Sequence, residues 1–341
     1  MAGFGPVDGS SNLPRATTSK LISEIFYRKD ENCVATPRAQ KCSRLSSKGF
    51  IYESRIFPSP TERSKTLCIL CELYGEGNIW YKNPKNYARR LYGLPKKGPS
   101  TAVGRLEEVQ ELELIKSVID AKDVNMESYN QQLQGLQEMF MQNPIGQVLP
   151  LQDVLEIVDL VYPIAKIDCI CRRLARATQE NSKTYSCIGI GPGMYKWERW
   201  PERYKGGAEF MSPQEAKDFL RYWNKRGMVH TVMIFGAPYI GGICNCDYPD
   251  CIEIRLRLDY GLQGTLLKGH HVAKVNYDEC NGCGTCISRC QFGATKMEVT
   301  TGKANIDMFK CFGCGLCETA CPRGAITLVE RSSLPALKDV W

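Results

Sequence analysis

At 341 residues the chain is long enough for one large or two modest domains, and its 43% hydrophobic and 24% charged residues exclude a disordered or fibrous polypeptide. Forty-four basic and 37 acidic residues give a net charge of +7. That surplus does not point to nucleic acid: the chain has eighteen cysteines, and a four-iron cube with four thiolates carries about −2, so two such sites leave about +3 and a third about +1.

No run of apolar residues is long enough for a membrane span; the nearest, Met228 to Cys244, is broken by His230, Gly236, Pro238, Gly241 and Gly242. The opening residues carry no basic stretch followed by an apolar core, so a cytoplasmic location is expected. In that reducing compartment cysteines serve as metal ligands or catalysts far more often than as disulfides.

Residues 1–103 are expected to form an extended N-terminal arm with a candidate metal site. The arm is read from Gly3, Gly5, Gly9 and the polar run to Lys20. Cys33, Cys42, Cys68 and Cys71 have the form C-x8-C-x25-C-x2-C, a set suited to zinc or a further cluster that would order a stretch rich in proline and glycine. Unligated cysteines are the alternative. A helical hairpin is expected over 104–148, from Leu106, Val109, Leu112, Ile115, Val118 and Ile119 and then Leu133, Leu136, Met139 and Phe140.

A mixed helix and strand domain follows over 149–269, which makes the fold class α+β. Leu151, Val154, Leu155 and Val158 mark an amphipathic helix ending before Pro163. Ser212-Pro213-Gln214-Glu215 is a capping box with proline at the first helical position, opening a helix that closes near Lys225-Arg226-Gly227. A strand is expected over Val229–Phe235. The glycines at 189, 191 and 193 do not make a dinucleotide loop, because Pro192 interrupts them and no strand before or helix after is expected.

Two C-x-C pairs lie in this domain, Cys169 with Cys171 and Cys244 with Cys246, and Cys187 and Cys251 are extra. Residues two apart on an extended segment project from one face, so each pair offers two sulfurs to one neighbour. Cys169, Cys171, Cys244 and Cys246 are the expected ligands of a third cluster, with Cys187 as substitute; structural zinc and a substrate-facing thiol pair are the alternatives. Arg172 and Arg173 would offset the charge of such a centre, and His230 reads as a structural histidine.

The strongest signal is an internal repeat. Cys280, Cys283, Cys286 and Cys290 form C-x2-C-x2-C-x3-C, and Cys311, Cys314, Cys317 and Cys321 repeat it 31 residues later. Three thiolates on a tight loop reach three corners of one cube, and the fourth cysteine, leaving on a helical turn, ligates the other cluster. Cys280, Cys283, Cys286 and Cys321 then share one cube, and Cys311, Cys314, Cys317 and Cys290 the second. A pair of zinc sites is the weaker alternative, since zinc knuckles do not need the trailing fourth cysteine.

Here the chain resembles bacterial two-cluster [4Fe–4S] ferredoxins over about residues 270–330. Segments 272–276 and 325–329 look like the outer strands of that fold, and 296–299 with 305–307 like its hairpin. One departure is Gln291 where the family has proline after the fourth cysteine. The wider arrangement of Cys-x-Cys-Arg, Gly227-Met-Val-His230 and Cys-Asn-Cys before a dicluster tail is similar to larger iron–sulfur proteins of anaerobes. Residues 331–341 are left as a C-terminal tail.

These readings imply an iron–sulfur electron-transfer subunit of an anaerobic oxidoreductase complex. The expected partners are a catalytic subunit and an electron carrier, in a hetero-oligomer with no nucleic acid and no membrane span. No catalytic residue is identified. The alternatives are a self-contained reductase with an open cluster or thiol site in the central domain, and a redox-sensing regulatory protein.

Overall fold

The computed structural model describes residues 68–87, 125–142, 144–169, 171–172, 185–199, 207–234, 238–337 and 339–341. Cys33, Cys42, the arm over 1–20, the first limb of the hairpin and Arg173 lie outside these.

The centre is a seven-stranded sheet built from β1 (Gly146–Leu149), β2 (Ile164–Asp168), β3 (Tyr185–Ile190), β4 (Ala208–Met211), β5 (Val229–Ile234), β6 (Ile240–Cys246) and β7 (Leu266–Leu267), in the order β4-β2-β3-β6-β5-β1-β7. Its neighbours run antiparallel except β1 beside β7. Successive side chains on a strand point to opposite faces. Leu149, Ile164, Ile188, Ile190, Val232, Ile234 and Ile243 therefore join one buried cluster. Val148, Ala165, Ile167, Cys187, Val229, Cys244 and Cys246, one residue out of step, join another on the opposite face.

Helices α3 (Leu151–Leu160) and α5 (Pro213–Lys225) cover the first face with Val154, Ile157, Val158, Ala216 and Leu220. The capping box forms as expected: the Ser212 hydroxyl accepts from the Glu215 amide, and the Glu215 carboxylate accepts from the Ser212 amide. Such a cap is worth about 1 kcal/mol. The strand expected from Val229 is present.

Several boundaries differ from the sequence reading. In the stretch assigned to an arm, residues 68–87 are not extended: they form α1 (Ile69–Tyr74) and two 3-10 turns, Trp80–Lys82 and Pro84–Tyr87. Trp80 and Tyr81 are fully buried; the Trp80 indole donates to Gln147 Oε1 at 2.6 Å, and the Tyr81 hydroxyl to Asp153 Oδ2 at 2.7 Å. These two large rings close the edge of the first core, an effect that the polar composition of the segment conceals. The described limb of the hairpin is α2 (Met126–Gln142), whose Leu136 and Phe140 pack on Leu256 of α6 (Ile252–Leu258) and on Leu262. Residues 146–149 belong to the sheet, so the hairpin does not run to 148. The glycines at 191 and 193 do follow a strand, β3, and precede the short helix α4 (Met194–Arg199).

The C-terminal unit pairs β8 (His271–Val275) with β11 (Ile326–Glu330), and β9 (Thr295–Met297) with β10 (Ala304–Ile306). The short helices α7 (Thr285–Arg289) and α8 (Leu316–Ala320) lie 31 residues apart and follow Gly284 and Gly315 at φ +73° in both. Residues 331–341 are not a detached tail. Arg331 is fully buried, Leu337 is buried in the ferredoxin core, and the Trp341 ring lies against His270 and the first core of the sheet.

Candidate metal centres

The repeated unit encloses two cavities. Cys280, Cys283, Cys286 and Cys321 line one. Cys290, Cys311, Cys314 and Cys317 line the other. The loops that carry them need glycine: Gly282 and Gly313 both sit at φ +74°, and a Cβ at Gly313 would stand 2.1 Å from the His271 carbonyl oxygen. Backbone amides aim at the sulfurs in a repeated pattern, Ala294 to Cys290 and Ala325 to Cys321, each at 3.3 Å. Cys311 accepts from Ala273 at 3.5 Å and Gly313 at 3.4 Å. Burial pushes the Cys317 thiol up to about 12 and Cys314 well above the usual thiol range. Bound metal is what deprotonates thiols in such surroundings, so the donor set fits an iron–sulfur cluster at each cavity.

Cations gather on the second cavity. Arg331 donates to the carbonyls of Gly269, His271 and Cys311 at 2.8 to 3.1 Å. The Arg257 guanidinium and the Lys268 ammonium stand 5.3 and 5.7 Å from the Phe312 ring centroid. Burial lowers Arg257 to about 10 and Lys268 to about 8, the latter with help from the Arg331 charge. Arg257 also donates to the Trp341 oxygen at 3.2 Å, whereas among the described residues neither Lys268 nor Arg331 pairs with an Asp or Glu carboxylate. Buried cations are costly without a counterion, and an anionic cluster in this cavity supplies one.

Behind the second cavity the sheet collects a six-sulfur group. Cys169 follows β2, Cys187 lies on β3, Cys244 and Cys246 on β6, and Cys251 at the start of α6. In the β3/β6 register Ile188 opposes Ile243, so Cys187 opposes Cys244 one step along. The Cys169 and Cys246 sulfurs come within hydrogen-bonding distance at 3.8 Å, and Cys169, Cys187, Cys244, Cys246 and Cys251 share one buried cluster with Cys171 packed against it. The bonds from Cys171, Cys187 and Cys246 hold the Cys169 thiol well below its usual range, against burial. Cys187, expected as a substitute, is thus central to the group, and Cys251 joins it. Only Cys244 and Cys246 share a strand; the chain turns helical at Cys171.

Arg172 feels the charge of Cys169 and Cys246, as expected, and shares it with two carboxylates. It is held by Asp247 at 2.9 Å and Asp250 at 3.3 Å, and it donates to the Ser186 hydroxyl at 3.0 Å. His230 is buried between Asn245 at 2.6 Å and Asn224 at 3.2 Å, and burial lowers it to about 4. It is no part of the sulfur group. Glu253 is buried, and burial, opposed by a bond from Thr231 and reinforced by the Cys169 charge, raises its carboxyl to about 8.

At the sheet edge, Cys68 and Cys71 meet His270. The two sulfurs are 3.3 Å apart, and His270 Nε2 lies 3.6 Å from Cys68 and 3.3 Å from Cys71. The sequence reading did not contain His270, which stands 199 residues from Cys71. Phe292 and Phe312 were missed as well; their rings stack at 4.1 Å and 12° between the six-sulfur group and the second cavity.

Gln291 explains the departure from the ferredoxin pattern. Its side chain accepts from the Tyr248 amide at 2.8 Å and donates to the Gly227 carbonyl at 2.5 Å, tying the C-terminal unit to the sheet domain. Proline could make neither bond.

The family model of the 4Fe-4S dicluster domain matches residues 279–326. None of the curated proteins matches the chain. The C-terminal unit is a 4Fe–4S ferredoxin-type domain, which gives the chain an iron–sulfur electron-transfer role. No helix among the described residues is long and apolar enough to cross a membrane.

Proposed function

We propose that the chain is a cytoplasmic electron-transfer subunit of an anaerobic oxidoreductase complex, moving electrons between two ferredoxin-type cubes and a third iron–sulfur centre held by the six-cysteine group. The observation that carries this reading is contiguity. One buried cluster joins Cys169, Cys187, Cys244, Cys246 and Cys251 to Phe292, Phe312 and Cys314. The same two rings, with Cys314, line the second cavity.

In this reading Cys280, Cys283, Cys286 and Cys321 hold one cube and Cys290, Cys311, Cys314 and Cys317 the other, and the cubes supply reversible one-electron chemistry. Cys283 is exposed, so its loop is where an electron carrier docks. Gly282 and Gly284 give that loop its left-handed backbone. Phe292 and Phe312 fill the gap between the second cavity and the sheet and keep water out of it. Arg289 lines the second cavity, with Arg257, Lys268 and Arg331 behind its Phe312 and Cys311 wall, and Arg323 lines the first. A catalytic partner subunit takes electrons from the six-cysteine side.

One distance favours a second reading. The 3.8 Å between the sulfurs of Cys169 and Cys246 matches two thiolates on one tetrahedral ion, for which Zn–S bonds of about 2.3 Å give about 3.8 Å. Zinc there would make the site structural and end the electron path at the ferredoxin cubes.

The test is Cys187→Ser and Cys251→Ser in anaerobically prepared protein. Iron falling from about twelve to about eight per chain, with one EPR signal lost, supports a third redox centre. Loss of zinc at constant iron supports the structural reading. Phe312→Leu should keep all iron yet slow electron exchange with the third centre after flash reduction, and an unchanged rate would contradict the path.

A further inference from the structure

We propose that Cys68, Cys71 and His270 hold a zinc ion that fastens the N-terminal segment to the junction between the sheet and the ferredoxin unit. The three ligands come from two places far apart in sequence. Cys68 is the N-cap of α1, and Cys71 follows one helical turn later, which puts both sulfurs on the same side. His270 stands just before β8, on the link that leaves the sheet at β7 and enters the ferredoxin unit.

The three donor atoms are close enough for one ion to reach all of them. Zn–S bonds of about 2.3 Å and a Zn–N bond of about 2.0 Å place two sulfurs about 3.8 Å apart and each sulfur about 3.5 Å from the nitrogen. The observed separations are 3.3 Å between the sulfurs and 3.6 and 3.3 Å to Nε2. Two cysteines and one histidine also fall short of the four thiolates that a ferredoxin-type cube takes. Two thiolates and an imidazole are three of the four donors of the Cys3His and Cys2His2 sites in which zinc is structural.

The surroundings are built to hold that set in place. All three residues are buried. The Cys68 sulfur accepts from the Cys71 amide at 3.4 Å, and the Cys71 sulfur from the Trp80 amide at 3.5 Å, as thiolate ligands do. The His270 ring is fixed between Tyr81 at 5.6 Å and Trp341 at 5.1 Å, and its carbonyl accepts from the Arg331 amide at 2.7 Å. Gly269, next to His270, donates to the Phe312 carbonyl at 2.9 Å. The ion therefore sits one residue from the wall of the second cavity and holds that wall without taking electrons itself. With His270 as third ligand a four-coordinate ion has one place left, so Cys33 and Cys42 cannot both be required.

The experiment uses the full chain purified anaerobically with its clusters. Zinc and iron are counted in the natural protein and in Cys68→Ser, Cys71→Ser and His270→Ala. About one zinc per chain, lost in all three variants while iron and sulfide stay constant, is the expected result. Zinc X-ray absorption on the natural protein covers the case in which a variant fails to fold, and its first shell should contain both sulfur and imidazole nitrogen. Zinc retained in His270→Ala and Cys71→Ser, a first shell without imidazole, or no zinc in the natural protein would overturn the proposal.

Discussion

Replacing Arg331 with methionine should lower the reduction potential of the cluster held by Cys290, Cys311, Cys314 and Cys317 and leave the other unchanged. Arg331 is fully buried and bonds only to carbonyls, among them that of the ligand residue Cys311. Reduction adds one negative charge to the cluster, and a nearby cation stabilises that charge. For a charge added on the order of 8 Å away, at an effective dielectric of about 20, Coulomb's law would give about 2 kcal/mol. For a one-electron couple that is about 90 mV, taking about 59 mV per tenfold change. The substitution also strips three buried carbonyls of their donor, at roughly 1–3 kcal/mol each, so Arg331→Lys serves as the control that keeps the charge. EPR-monitored potentiometric titration reads both clusters at once. A potential that does not fall in the methionine variant, or one that falls equally at both clusters, would refute the electrostatic argument.

Gly313→Ala should cost at least about 1–2 kcal/mol for its left-handed backbone, and more for the clash with the His271 carbonyl; the check is loss of about four irons per chain together with a lower Tm. Gln291→Pro restores the ferredoxin consensus residue but removes bonds to Tyr248 and Gly227; it should lower stability by about 1–3 kcal/mol at unchanged iron content, measured by denaturant unfolding. His230 is held neutral, with its folded value lowered to about 4 from 6.5. A lowered histidine means that the unfolded chain binds the proton first, so its stabilising effect is present above about pH 6.5 and is lost as pH falls toward 4. Between pH 7.5 and 5.5 the loss should be about 1 kcal/mol, seen as a fall in Tm that His230→Gln does not share.

The ferredoxin unit was legible because its signal is local. Eight cysteines at fixed spacing, with glycines between them, determine loops that need no distant partner to be recognised. The helix behind Ser212 was legible for the same reason, since a capping box is written in four consecutive residues. The sheet was not. Its strand order comes from pairings between segments far apart in sequence, and both faces are buried, so its strands lack the polar alternation that marks a half-exposed strand. The six-sulfur group was half legible: the two C-x-C pairs announced it, but the central place of Cys187 depends on the β3/β6 register. His270 carried no local signal, and neither did Arg331, which looks like a surface residue until the chain turns it inward. Gln291 was visible as a departure, and only the sheet domain gave that departure a reason.

The central claim is a chain of three iron–sulfur centres, and the measurement that tests it most directly is iron, acid-labile sulfide and zinc per chain on anaerobic protein, with EPR during stepwise reduction. The account predicts about twelve irons, about twelve sulfides and one zinc, with three centres reduced in turn. About eight irons with two or more zincs would confine the electrons to the ferredoxin unit and contradict the third centre, and protein that binds zinc but no iron would contradict the electron-transfer role itself.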